Sequence, residues 1–491
     1  MIFFEVNDRS ISIDKMNNFI KKLVGFSVGP VIGAMITFIT IPLTTHFINP
    51  SEYGKASIFL LLQTIVGTFL YLGVDQAYTR EYHSIQNKKH LFQNAILIPL
   101  MLAFLIFIVI LLFLSDISLL LFGDEKFKIA TILFGIMIIV MVVERFILLS
   151  LRMQEKALEY SLLTILTKLS ILIFTLIFIF LLRRDFLAIV YSAIIGQLLA
   201  DLYLIIRYRT LFKYKEFSIN KKLLKRMVLF GLPILIATSI SSLLNSLDRL
   251  ALRAWSDFYE IGIFTATLKI AGVLSIIQLS FTSFWTPTAY RWYDQKKDIK
   301  YFKLVSDGIL LCMSLIFMFI VGFKDLIVYI LSPEYSDARY IVAFLCLQPI
   351  IYTVSETTSL GIVFSRKTYL SIWVGVVAVV PNFIINLLLV PKLGALGAAI
   401  ATSVSYICFF IARTYFSSKN GMSFSVVNHY IVLTILFFTA IANAYLQSYL
   451  TLTNSLIFVI LIILQASTIK KIFDLYKSEK FKVKNKEKIS V

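Results

Sequence analysis

The chain has 491 residues, of which 59% are hydrophobic and only 15% charged, and its mean hydropathy is +0.86. Values this far from the soluble norm exclude a string of soluble domains. The formal net charge of +19 would suggest nucleic acid in a soluble protein, but the placement of the basic residues, given below, excludes that partner. Cys312, Cys346 and Cys408 lie far apart in apolar runs and read as small buried hydrophobes, with neither a disulfide framework nor metal-ligand spacing.

Residues 1–22 contain Glu5, Asp8, Arg9 and Asp14 and no continuous apolar core. No cleavable signal peptide is expected, so insertion begins with the first span. Apolar stretches of about 20 residues, each enough to cross roughly 30 Å of hydrocarbon, then recur along the chain. Fourteen spans are expected. The first six lie at about 23–48, 56–76, 92–114, 128–150, 158–182 and 186–207. Six more lie at about 227–253, 260–285, 304–323, 338–364, 369–390 and 394–414, and two follow at about 428–446 and 453–473. The expected fold is therefore an all-α polytopic membrane protein. Its parts are a cytoplasmic segment 1–22, an N-lobe 23–207, a basic cytoplasmic linker 208–226, a C-lobe 227–415, additional spans in 428–473, and a Lys-rich cytoplasmic tail 474–491.

An even number of spans puts both termini on one side. With the N-terminus in the cytoplasm, Arg207–Arg226 and the tail from Lys470 each place eight basic residues inside, and Arg291–Lys303 places five. The outer loops carry Asp116, Asp124, Glu125, Asp257, Glu334 and Asp337, with Arg183–Arg184 as the exception. This is the positive-inside pattern. The basic surplus is topological, with attraction to anionic lipid as a weaker consequence.

The second six spans echo the first. Lys21-Lys22 precede a span with Pro30, and Lys225-Arg226 precede one with Pro233. "SEYGKAS" (51–57) resembles "YEIGIFT" (259–265), and "AYTREY" (77–82) resembles "AYRWY" (289–293). Two like-oriented six-helix lobes, related by an axis along the membrane normal, are the plan of a rocking transporter with its site between the lobes.

Polar residues cluster on helix faces. In span 7, Ser241, Asn245, Arg249 and Arg253 recur with Thr238 at three- and four-residue spacing, and Asp248 lies beside that stripe. Span 5 contributes Lys168, span 8 Lys269, span 10 Glu356, span 11 Asn382 and Asn386, span 6 Gln197 and Asp201, and span 4 Glu144 and Arg145. A charged residue within a span faces a partner helix or a wet cavity. Two readings of Asp248–Arg249 stand, a topology anchor with Arg249 snorkelling outward and a ligand grip. Lys168, Arg249, Lys269, Arg253 and Arg145 outnumber Asp201, Asp248 and Glu356. A cavity lined by these cations suits an anionic, phosphate-bearing substrate. The acids either pair with the cations or carry coupling protons.

The run "NSLDRLALRAWSDFYEIGIFTATLKIAGVLSIIQLSFTSFWTPTAYR" (245–291) resembles helices seven and eight of Wzx-type polysaccharide flippases, and "NFIINLLLVPKLGALGAAIATSVSY" (382–406) resembles a later part of them. These belong to the multidrug/oligosaccharidyl-lipid/polysaccharide exporter superfamily, and the resemblance covers about residues 20–415. It implies two six-helix lobes around a central cationic cavity. The implied substrate is an undecaprenyl-pyrophosphate-linked oligosaccharide repeat unit, flipped from the cytoplasmic to the outer leaflet for surface polysaccharide such as O-antigen. Asp248, Arg249 and Lys269 match charged cavity positions within the motif. The resemblance further implies the bacterial cytoplasmic membrane, proton or sodium coupling, and a polysaccharide polymerase as partner. Between Gly25 and Ile48 only His46 is ionisable, unlike lipid II flippases, which carry a basic cluster there.

No cofactor is called for, since no G-x-x-x-x-G-K-[ST] motif occurs. Two rival readings remain. A multidrug efflux antiporter of the same superfamily needs cavity acids without matching bases. A membrane-embedded glycan polymerase or ligase needs an acid–base constellation, whereas the histidines (His46, His83, His90, His429) are dispersed. The expectation is a transporter with no catalytic residue.

Overall fold

The computed structural model describes residues 28–212, 218–367, 369–446, 448–474 and 477. The segment 1–22, Lys213 and Lys215 of the linker, and most of the tail from 474 lie outside the described residues. Among those described, every regular element is helical. The chain divides into two compact units, 1–242 and 243–491, and the division falls inside a single long helix.

Unit 1 contains α1 (Val28–Phe47), α2 (Pro50–Leu70), α3 (Val74–Glu81), α4 (Lys88–Leu112), α5 (Leu114–Phe122), α6 (Lys128–Met153), α7 (Ala157–Leu182), α8 (Phe186–Arg207) and the first part of α9 (Lys221–Trp255). Asn49 starts α2: its side chain accepts from the Glu52 amide at 3.0 Å, and Pro50 needs no donor at that position. Asn87 caps α4 in the same way through His90. The second span thus runs earlier than the 56–76 expected from hydropathy. It stops at Leu70 because Gly73, at φ 69°, turns the chain into the short polar α3. A β-carbon at Gly73 would sit 2.2 Å from the Gly231 carbonyl oxygen of α9, so this corner closes only with glycine. Phe59, Phe92, Phe134, Met137, Phe146 and Phe186 fill the core between α2, α4, α6 and α8.

Unit 2 holds the rest of α9, α10 (Phe258–Ala271), α11 (Leu274–Asp294), α12 (Ile299–Gly322), α13 (Lys324–Leu331), α14 (Ala338–Thr358), α15 (Leu360–Phe364), α16 (Leu370–Ser418), α17 (Val427–Tyr445), α18 (Leu450–Leu464) and α19 (Ala466–Asp474). α14 is the most deeply buried of the long apolar helices in unit 2 and lies at its centre.

Among the described residues twelve helices are long and apolar enough to cross a membrane, and α18 with α19, bent by 53°, together form either a broken span or a re-entrant loop. The 49 residues of α16 would extend about 74 Å as one helix, over twice the hydrocarbon thickness. The backbone instead breaks at Gly394 (φ 51°), and the Ser405 hydroxyl donates to the Ala378 carbonyl at 2.8 Å. The two arms therefore lie side by side, each long enough to cross hydrocarbon by itself. The protein is a multi-pass, all-α membrane protein.

One contact recurs in both units. In unit 1, Glu52 Oε2 accepts from the Phe186 amide at the start of α8 (3.1 Å). In unit 2, Glu260 Oε2 accepts from the Ala395 amide at the start of the second arm of α16 (2.7 Å). These are the glutamates of the two Glu-x-Gly motifs. Each supplies negative charge to a helix N-terminus.

Polar contacts fasten α17 to α19 onto unit 2. The Asn443 amide donates to Asn454 Oδ1 (2.8 Å), Gln465 to the Ser314 hydroxyl (2.9 Å), and Lys324 Nζ to the Asn443 carbonyl (2.9 Å). Burial holds the Lys324 ammonium below the usual lysine range. His429, fully buried, shares a 2.8 Å hydrogen bond with Ser306.

Candidate functional site

Unit 1 holds a polar cavity of about 570 Å³. Its polar wall comes from Gln63, Thr64, Thr68 and Tyr71 on or just after α2, Asp75 and Gln76 on α3, Arg145 on α6, Lys168 on α7 and Thr238 on α9. Arg145 Nη2 donates to Asp75 Oδ2 at 2.6 Å, and the guanidinium lies 5.5 Å from the Tyr71 ring centre. Gln76 donates to the same carboxylate oxygen at 3.1 Å. The Nε of Arg145 is buried with no partner among the described residues. Lys168 is exposed in this wall. Among the lining side chains two cations thus face one carboxylate, next to amide and hydroxyl donors, and Glu144 behind the wall lies within electrostatic reach of Lys168. Such a wall can hold an anion with oxygens on several sides.

Behind Arg145, Gln197 on α8 joins two acids. Its amide donates to Glu144 Oε2 at 2.8 Å and to both oxygens of Asp201 at 3.0 Å. Asp201 is fully buried, and among the described residues no cation pairs with it. The expected acid of span 6 therefore sits in helix packing and not on the cavity wall.

In unit 2, Asp248 turns inward. Its Oδ1 accepts from Asn382 (3.0 Å) and Asn386 (2.8 Å), and its Oδ2 from the Thr402 hydroxyl (2.8 Å). The structure thus brings three of the expected residues, Asp248, Asn382 and Asn386, into one buried cluster across α9 and both arms of α16. Asn386 Oδ1 is buried there without a partner. The carboxylate is held by two amide N–H donors and one hydroxyl donor, with the Asn386 amide oxygen as the unpartnered acceptor, so the cluster can exchange a proton at the carboxylate. Arg249, next in sequence, turns elsewhere and donates to the Asn245 carbonyl at 3.2 Å. Arg253 lies over the Phe258 ring at 4.7 Å, and Lys269 is half-buried in the last turn of α10. Ser241, at the end of unit 1, and Asn245 are exposed, whereas Arg249 and Arg253 are half-buried.

Glu356 on α14 pairs with Arg413 of the second arm of α16 at 2.8 Å. Nearby, Tyr406 receives the Gln348 amide at 3.0 Å and donates to Asn245 Oδ1 at 3.3 Å. Sequence reasoning missed Asp75 and Arg413. Asp75 fell inside the span expected at 56–76 and was legible as an intramembrane acid; Arg413 fell at the end of the span expected at 394–414. Among the described residues no group of three or more His, Cys, Asp or Glu side chains converges as a metal site.

Comparison with known proteins gives a consistent picture. The family model described as "Polysaccharide biosynthesis protein" matches residues 20–291. The capsular polysaccharide biosynthesis protein CapF of Staphylococcus aureus is 21% identical over 257 residues, 51% of this chain and 64% of CapF. The "Probable low-salt glycan biosynthesis flippase Agl15" of Haloferax volcanii is 23% identical over 179 residues, 34% of this chain and 38% of that protein. The matched region thus spans less than two thirds of either relative. Among solved structures, the lipid II flippase MurJ in an inward closed conformation superposes with a TM-score of 0.67 at 14% identity, covering 91% of this chain and 99% of MurJ. An inward-facing multidrug resistance MATE transporter of the MOP superfamily gives 0.59 at 16% identity, covering 82% and 100%. These likenesses establish the fold.

Proposed function

Because the chain belongs to the polysaccharide biosynthesis protein family, we propose that it is a flippase carrying an undecaprenyl-pyrophosphate-linked oligosaccharide repeat unit from the cytoplasmic to the outer leaflet by alternating access. The observation that carries this reading is the unit 1 cavity, where Arg145 and Lys168 face a single carboxylate, Asp75. A sugar headgroup cannot cross hydrocarbon unaided, because each unsatisfied polar group costs several kcal/mol. The cavity wall offers charge to the phosphates and amide and hydroxyl partners to the rest. Arg145 holds phosphate oxygens through its planar fork, and Lys168 acts as a mobile point charge. Arg249, Arg253 and Lys269 provide further cations in unit 2. The buried Asp248 cluster is the coupling site for a proton or sodium ion, and the membrane is the bacterial cytoplasmic membrane with both termini inside. The protein hands its product to a polysaccharide polymerase and does no chemistry itself.

The test is translocation in proteoliposomes loaded with an undecaprenyl-pyrophosphate oligosaccharide. Wild type is expected to move the lipid, and Arg145→Ala with Lys168→Ala is expected to lower the rate at least ten-fold while the protein stays folded. Wild-type rates from the double variant would remove the cavity from the mechanism. Extrusion of a cationic dye with no movement of glycolipid would replace this reading with multidrug efflux.

A further inference from the structure

Unit 2 carries a row of side chains that neither the phosphate grip nor the Asp248 cluster uses. On α14, Gln348, Tyr352 and Glu356 follow at four-residue intervals and so share one face. On the second arm of α16, Tyr406, Phe409 and Arg413 share another, and the two faces meet level by level. Gln348 bonds Tyr406 at 3.0 Å, Tyr352 stacks on Phe409 with centroids 5.6 Å apart and planes at 19°, and Glu356 pairs with Arg413 at 2.8 Å. The levels are about 6 Å apart along the helix. Arg413 lies 5.2 Å from both ring centres and also donates to the Ser355 hydroxyl at 2.7 Å. Asn245 of α9 extends the row beyond Tyr406 and is exposed.

The composition of the row decides what it fits. Its arginine is neutralised by Glu356, so it has no cationic excess for a phosphate. A face built only for helix packing or for lipid would not gather an amide, a phenol, a carboxylate and a guanidinium in one line. Sugars present hydroxyls that both donate and accept, over an apolar C–H face. The amides and the carboxylate beside arginine supply donors and acceptors together, and the half-exposed rings of Tyr352 and Phe409 supply an apolar platform.

We propose that this row is the glycan-reading site of the protein: Tyr352 and Phe409 carry a sugar ring, Asn245, Gln348, Glu356 and Arg413 bind its hydroxyls, and the buried Tyr406 holds Gln348 and Asn245 in place. The site selects the uncharged part of the substrate, whereas the unit 1 cavity holds the anionic part. The proposal takes from the preceding section only that the substrate includes an oligosaccharide.

The test measures binding of a panel of phosphate-free oligosaccharide fragments of bacterial capsules and O-antigens to the full chain in nanodiscs. Inorganic pyrophosphate, measured alongside, reports on the Arg145–Lys168 cavity. At least one fragment is expected to bind wild type. Tyr352→Ala is expected to weaken that fragment ten-fold or more and Gln348→Leu about five-fold, while Tyr352→Phe, which keeps the platform, stays within three-fold. Circular dichroism identifies any variant that has lost its fold. The proposal is overturned if no fragment binds wild type, or if folded Tyr352→Ala and Gln348→Leu both bind as wild type does. A protein that binds glycan through this row yet flips no lipid keeps this inference and loses the flippase reading.

Discussion

The two units share a device and differ in where they put charge. Each uses the glutamate of a Glu-x-Gly motif to cap the start of a later helix, Glu52 for α8 and Glu260 for the second arm of α16. Beyond that, unit 1 leaves Arg145, Asp75 and Lys168 on the wall of a cavity, whereas unit 2 folds Asp248 inside and neutralises Glu356 with Arg413. Charge on a cavity wall remains available to a ligand. Charge inside helix packing, as at Asp248, is part of the fold, and it acts on transport only by changing the fold's state. The units have one contact in common and differ in the remaining polar chemistry.

That contrast breaks most visibly if the carboxylates are removed. Asp248→Ala strands three buried donors, from Asn382, Asn386 and Thr402. Each unsatisfied group costs about 1–3 kcal/mol, so a total loss of about 3 kcal/mol is expected. Asp75→Ala removes a carboxylate that is itself buried, but its partner Arg145 is about two-fifths exposed and can turn to water, so a smaller loss of about 1–2 kcal/mol is expected. Thermal unfolding of the two purified variants checks this directly. Equal losses would mean that Asp248 is no more integral to its unit than Asp75 is to the other.

A smaller effect tests the shared device. Glu52→Ala and Glu260→Ala each remove one carboxylate from a helix N-terminus, and each is expected to cost about 1 kcal/mol. Similar shifts in unfolding temperature would confirm that the two motifs do the same work. A large shift for one alone would show that the repeat is retained in sequence but not in energetics.

How much of this was readable beforehand follows from what periodicity records. Span length, the Lys and Arg of the loops and the Pro391–Gly394 turn are local signals, and they give the fold. The Glu-x-Gly repeat was visible, but its reason was not, because the capped amides lie more than 130 residues away in sequence. Helical spacing grouped Thr238, Ser241 and Asn245 on one face, and all three are exposed. It could not fix the rotation of α9, so Asp248, one position before Arg249, was placed beside the stripe although it points into the unit. Asn382 and Asn386 were expected to line a cavity, and they are the partners that hold Asp248. Spacing within one helix says which residues share a face; only packing says what that face meets.

Ionic strength gives the finest separation between the two regions. The Debye length falls from about 10 Å at 0.1 M salt to about 3 Å at 1 M. The field of Arg145 and Lys168 in an open cavity is exposed to this screening, so inorganic pyrophosphate is expected to bind several-fold more weakly across that range. The row from Asn245 to Arg413 acts through neutral hydrogen bonds, ring contact and an ion pair closed on itself. Binding of a phosphate-free oligosaccharide there is expected to change less than two-fold. Titrating both probes against one preparation of the full chain at the two salt concentrations makes each the control for the other. If the oligosaccharide weakens in parallel with pyrophosphate, both ligands occupy the cationic cavity and the division of labour between the units is wrong. If only pyrophosphate responds, the anionic and neutral parts of the substrate are read by different chemistry, carried on different units.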